Sequence, residues 1–185
     1  MERNEILRKA VHLCAPLFAL AYLVPEDLGV TSRSVIAVVL WLIFGVVEAY
    51  RIKHQVQFAG LRSYEYNRPS AAFQMCTAFL IMLLFFPVEY AFPLLLGFGI
   101  TDPLIGILRG KGSGMYPLLP SLVYLALMSA SLSIFFGISF RIIAISLIVT
   151  ISAISAESYR NRMIDDDFLM LFVPLMVLWI LDSIV

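Results

Sequence analysis

The stretch YAFPLLLGFGITDPLIGILRGK, residues 90–111, decides the fold. Its apolar part, 90–108, has the length of a membrane-spanning helix, which needs roughly 17–25 apolar residues, and Arg109 and Lys111 close it. The one charge inside is Asp102, followed by Pro103. A charge at mid-bilayer costs about 2.5–3.5 kcal/mol on insertion scales, so Asp102 is expected to face the protein interior and to act there. Proline disfavours helical geometry in the residue before it. With Gly97, Gly99 and Gly106 nearby, the helix is expected to bend or break at Asp102 and to line a cavity.

Apolar runs of similar length recur at 6–24, 33–50, 70–87, 117–136, 140–156 and 168–184. With 90–108 they use nearly all of the 185 residues. A hydrophobic content of 61%, against roughly half in soluble domains, excludes a soluble fold. The predicted class is all-α: a polytopic membrane helix bundle of about seven transmembrane helices, forming a single integral membrane domain over 1–185. Alternating the connections puts Arg3, Arg8, Lys9, Arg51, Lys53, Arg62, Arg68, Arg109, Lys111, Arg160 and Arg162 on one side, with Arg33 and Arg141 opposite. The positive-inside rule makes the first side, and the N-terminus, cytoplasmic. In a prokaryote the host would be the cell membrane. Arg8, Lys9 and His12 inside the first run, with no small-residue cleavage pattern after it, mark a retained helix and not a signal peptide. Zero net charge and the lack of an extended basic patch argue against nucleic acid as a partner. Cys14 and Cys76 lack metal or redox spacing and read as small hydrophobes. The polar stretch 51–69 is expected to lie as an amphipathic helix on the inner surface, with Pro69 opening the third span. A homo-oligomer stays open.

Five groups of residues carry chemistry. Glu5, Arg8, Lys9 and His12 share one helical face by their spacing, either as a snorkelling anchor or as a stripe facing an anionic ligand. Glu48 with Arg51, and Arg62 with Glu65, stand at i, i+3 as supporting ion pairs. Asp102 is the third. The loop Arg109, Gly110, Lys111, Gly112, Ser113, Gly114 could turn backbone N–H groups onto a phosphate, or be a flexible cationic turn; it lacks the Walker arrangement. Asp165, Asp166 and Asp167, with Glu157 before them, suit Mg²⁺, which takes one or two carboxylates and keeps water and phosphate. A solvated acidic helix start is the alternative.

In this order the motifs resemble the CTP-dependent lipid kinases, the family of dolichol kinase, phytol kinase and CTP-dependent diacylglycerol kinase. Glu5-xx-Arg8-Lys9-xx-His12 resembles the family's opening signature. Glu48-xx-Arg51, Arg62-xx-Glu65, Asp102-Pro103 and the terminal Glu157…Asp165-Asp166-Asp167 follow. Ile105 stands where the family usually has alanine, and Ser121 keeps the hydroxyl of a Lys-Ser/Thr-x-x-Gly element whose lysine and glycine are missing. The resemblance implies an all-helical enzyme transferring a phosphoryl group from CTP, with Mg²⁺, to a long-chain lipid alcohol such as a polyprenol. The expected catalytic residues are Asp102, His12 and Lys9. Arg8, Lys9, the Arg109–Gly114 loop and Ser121 would meet the nucleotide; Asp102, Glu157 and Asp165–Asp167 the metal; Glu5, Glu48, Arg51, Arg62 and Glu65 would support them. A membrane cytidylyltransferase acting on a lipid phosphate, or a transporter or non-catalytic membrane protein, would share much of this pattern.

Overall fold

The computed structural model describes residues 9–29, 31–58, 61, 65–159 and 163–184. They form helices α1 (Lys9–Leu23), α2 (Arg33–His54), α3 (Ala71–Phe85), α4 (Val88–Gly110), α5 (Leu118–Phe136), α6 (Phe140–Ser158) and α7 (Asp166–Ile184). Local chemistry sets several starts: Ser32, Ser70 and Ser139 cap α2, α3 and α6 by accepting the N–H of the residue three further on. Gln55 in the left-handed region ends α2.

Four helices, α2, α4, α5 and α6, are long and apolar enough to cross a membrane. Here α1 and α3 are shorter apolar helices. Burial ranks them: 61% of α4's span is inside the protein against 11% of α2's, so α4 is the hub and α2 a peripheral helix. On α4 pack α1, α5 and α7; α6 joins α5 to α7, and α3 bridges α7 to α2. The core is aliphatic and sulfur-rich around Leu94, Phe98, Tyr124, Met128, Leu132, Met170, Leu171 and Leu175.

Two expectations are corrected. First, α4 runs unbroken through Asp102 and Pro103. Pro103 cannot donate to the carbonyl of Gly99, yet its neighbours continue the helix, which close packing by other helices allows. The irregularity lies in α1, which begins as an α-helix and tightens to a 3₁₀-helix over Ala15–Leu23, with Pro16 at its start. Second, polar segment 51–69 is not one surface helix: α2 takes 51–54, and the described residues beyond are turns and extended chain until Ser70, not Pro69, caps α3. Buried partners draw this segment inward, as described next.

Candidate functional site

α1 docks on α4 at a position only glycine permits. A Cβ on Gly99 would stand 2.8 Å from the His12 carbonyl oxygen and 2.9 Å from Pro16 Cδ. One helical turn further along α4 comes Asp102, so this contact sets His12 beside Asp102. The two are hydrogen bonded, Nδ1 to Oδ2. From the other side α7 brings Asp167, whose Oδ2 lies 3.3 Å from His12 Nε2. His12 and Asp167 are almost fully buried, and Asp102 keeps 17% of its side chain exposed. The Asp167 approach has ion-pair reach without hydrogen-bond alignment: neither of its carboxylate oxygens has a hydrogen-bond donor. The His12 ring, at ion-pair distance, is what faces this buried carboxylate.

Beside this trio lies a cavity of about 140 Å³, whose charged walls are Lys9, Asp102, Arg109, Glu157 and Asp166. Gly106 leaves room for the Lys9 stem, whose Cε is 3.8 Å from where a Cβ would stand. Arg109 donates to both oxygens of Glu157, at 2.6 and 2.8 Å, in a bidentate pair. It also donates to the Tyr116 hydroxyl and lies over that ring, 4.5 Å from its centroid. Tyr116 in turn bonds Ser158 at 3.1 Å.

The three consecutive aspartates divide their work. Asp165 caps α7: its Oδ1 accepts the Asp167 N–H, and its Oδ2 accepts from Arg68 at 3.0 Å. Asp166 lines the cavity and Asp167 faces His12. Among the described residues two sets of donors lie within 4.8 Å of one another, His12 with Asp102 and Asp167, and Asp165 with Asp166 and Asp167; the second offers the all-carboxylate oxygens that a hard divalent ion takes. Asp165 and Glu157, also expected at the metal, pair with Arg68 and Arg109 respectively.

The glycine loop is likewise corrected. The Lys111 N–H bonds the Ile107 carbonyl, that of Gly112 the Arg109 carbonyl, and that of Ser113 the Leu108 carbonyl. With Gly112 at φ +59°, this is a Schellman helix end, so these amides terminate α4 and do not point at a phosphate. Ser121 gives its hydroxyl to the Pro117 carbonyl, at the start of α5. A Cβ at Gly110 or Gly114 would meet nothing within 4 Å, so neither position requires glycine for space.

Glu48 and Arg51 form a second buried knot. Arg51 Nε and Nη2 donate to the two Glu48 oxygens at 2.9 and 2.8 Å, and Nη2 also to the carbonyls of Glu65 and Arg68. Glu48 takes the N–H of Ser70 at 2.5 Å and Glu65 that of Ala71 at 2.9 Å, so two carboxylates sit at the positive end of α3. These residues hold the 65–71 segment in place. Glu5, Arg8 and Arg62 lie outside the described residues.

Sequence reasoning missed Tyr116 and the Arg68–Asp165 link, and no spacing or composition signal announces either. It also missed an apolar cavity of about 300 Å³ between α1, α2 and α3, whose walls include Phe18, Tyr22, Trp41, Phe44, Phe79 and Leu83. At the far end of the bundle the polar contacts are simple closures: Asp182 accepts from Tyr90 and, at 3.2 Å, from Arg141, and Arg33 pairs with Glu26 at 3.1 Å. Comparison with protein-family models, curated proteins and solved structures finds no match for this chain.

Proposed function

We propose that this protein is a membrane lipid kinase, moving a phosphoryl group from a nucleoside triphosphate, CTP by resemblance, to the hydroxyl of a polyprenol-type alcohol. The observation that carries the proposal is one polar cavity lined by Lys9, Asp102 and Asp166, from three helices, with His12 bonded to Asp102 and paired with Asp167 beside it. Phosphoryl transfer asks a protein chiefly for positioning and charge stabilisation, which this set supplies without a nucleophilic side chain. Asp102 takes the proton of the attacking alcohol, His12 fixes its carboxylate, and Lys9 neutralises phosphate charge. Mg²⁺, held at the Asp165–Asp167 carboxylates, would neutralise the phosphates further. The Arg109–Glu157–Tyr116 cluster walls the cavity.

The apolar cavity supports a lipid acceptor. A 150 Å³ cavity holds a benzene, so about 300 Å³ takes roughly a dozen carbons of a chain. All seven helices would span the membrane with the N-terminus and the site cytoplasmic, since Lys9, Arg51, Lys53, Arg68, Arg109 and Lys111 lie at helix ends on that side.

One incubation tests the proposal: purified protein, Mg²⁺, each labelled nucleoside triphosphate and a panel of lipid alcohols. Label is expected on a polyprenol with CTP. Release of pyrophosphate with a lipid phosphate as acceptor would make the protein a cytidylyltransferase. The buried Asp102–His12–Asp167 chain would also suit a proton-coupled carrier. No transfer with any donor, alongside proton-coupled uptake in liposomes, would replace the kinase by that carrier.

A further inference from the structure

The apolar cavity of about 300 Å³ lies where α1 and α2 face each other across α3. Among the described residues α2 packs chiefly on α3, which leaves a cleft between α2 and α1. The cleft is tied shut at the end away from the polar cavity. There Arg33, at the start of α2, donates to the carbonyls of Tyr22 and Val24 at 3.3 and 3.1 Å and lies over the Tyr22 ring. Phe79 and Met82 form a buried floor, while Phe18 and Leu40 on the open side are 44% and 61% exposed. In the membrane reading that side opens on hydrocarbon. The walls carry no charged side chain, and their aromatic polar groups are turned onto protein. The Tyr22 hydroxyl donates to the Phe86 carbonyl at 3.1 Å, and Trp41 Nε1 to Thr77 Oγ1 at 2.9 Å. A group that needs hydrogen bonds would be stranded here, so the occupant is bare hydrocarbon.

The depth of the cleft decides which part of a lipid reaches it. Phe18 and Tyr22 follow His12 along α1, so the cleft covers the stretch roughly 10–20 Å beyond the His12–Asp102 pair. On α4 its wall residue Leu95 precedes Asp102 by two turns, again roughly 10 Å. One leaflet of a bilayer is roughly 15 Å of hydrocarbon deep, so a chain filling the cleft from a hydroxyl at Asp102 passes the midplane. The close contact at Gly99 seals the seam between α1 and α4, and the exposed Leu13 and Leu17 give an apolar path along the outward side of α1. We propose that the cleft holds the far end of the acceptor alcohol's chain and makes the protein select long-chain over short-chain alcohols. The hydroxyl end of this proposal rests on the lipid-kinase reading; chain binding in the cleft does not. Leaving the bilayer for the cleft exchanges one apolar surrounding for another, so fit against the aromatic walls makes the selection.

Trp41, in the cleft wall, is the reporter, and Trp179→Phe leaves it the one tryptophan of the full chain. The protein is placed in phospholipid nanodiscs without nucleotide, and octanol or eicosanol carrying bromine at the chain end is added. Eicosanol should quench Trp41 saturably. Octanol, whose chain ends short of the cleft, should quench only in proportion to its amount in the bilayer. Ala37→Phe and Ala21→Phe each put a ring into the cleft and should abolish the saturable part. With Mg²⁺ and CTP present, the same variants should lose the advantage of eicosanol over octanol as acceptor. Three results would overturn the proposal: eicosanol quenching that never saturates, equal quenching by octanol, or saturation that survives both alanine variants. If one variant does not fold, the other decides. Saturable quenching without transfer to either alcohol would remove the kinase and leave a chain site. Equal transfer to both alcohols without saturable quenching would keep the kinase and remove the cleft from it.

Discussion

Two buried charge clusters lie at the same end of the bundle and are built to opposite standards. Around Glu48 and Arg51 each Glu48 oxygen accepts at least one hydrogen bond, and only Arg51 Nη1 lacks a partner. Around His12 the Asp167 carboxylate accepts none. The first cluster spends its charge on backbone: it ties the end of α2 to the 65–71 segment and the start of α3. The second gathers side chains from α1, α4 and α7 beside the polar cavity. Burial by itself therefore does not distinguish a structural ion pair from a site. The count of unmet acceptors does, because an unmet buried acceptor is tolerated only where something else compensates it.

Mutations should separate the clusters, and the largest effect belongs to the second. Asp102→Asn is expected to lower CTP-dependent phosphorylation by on the order of 10²–10⁴-fold, the range for a lost general base, while thermal unfolding in detergent stays near the native temperature. Retained turnover would remove Asp102 from the chemistry. Arg51→Met should do the reverse. Breaking a buried pair from one side costs about 3–5 kcal/mol, so a large fall in unfolding temperature is expected, with normal specific activity in the fraction that remains folded. If the activity of that fraction also collapses, the two clusters are not independent.

Smaller changes sharpen the contrast. Gly99→Ala forces a methyl group against the His12 carbonyl and Pro16 and should cost about 1–3 kcal/mol, with activity falling more than stability because α1 carries Lys9 and His12. Asp165→Ala removes the α7 cap and leaves Arg68 without its buried carboxylate, so it should cost more than the roughly 1 kcal/mol of a cap alone, up to about 3 kcal/mol, measurable by denaturant or heat. Lys111→Ala, at the exposed end of α4, is expected to move stability by less than about 0.5 kcal/mol. A large drop in nucleotide affinity in that variant would return the glycine loop to the site.

Much of the fold can be read directly from particular residues. The run 90–108 and its Arg109 and Lys111 boundary mark α4, and Asp165 before 168–184 marks the start of α7, because membrane length and capping chemistry are local properties. Asp102 stands out for the same reason, as a charge in an apolar run. Asp102-Pro103 reads as a break, but α4 continues through it, and Pro16, unremarkable in sequence, begins the 3₁₀ stretch of α1. The glycine loop misled as well, since glycine ends a helix and cradles a phosphate by the same left-handed geometry.

Spacing and hydropathy alone settled that the chain is an apolar helical protein whose cations cluster at one set of helix ends, since the cost of desolvating charge and backbone is paid residue by residue. Only the packed structure decided how the carboxylates divide: Asp165 to Arg68, Glu157 to Arg109, Asp167 to His12 without a donor of its own. These residues lie up to 155 positions apart, His12 to Asp167. Their pairing depends on which helix faces meet, and that is a property of the whole bundle.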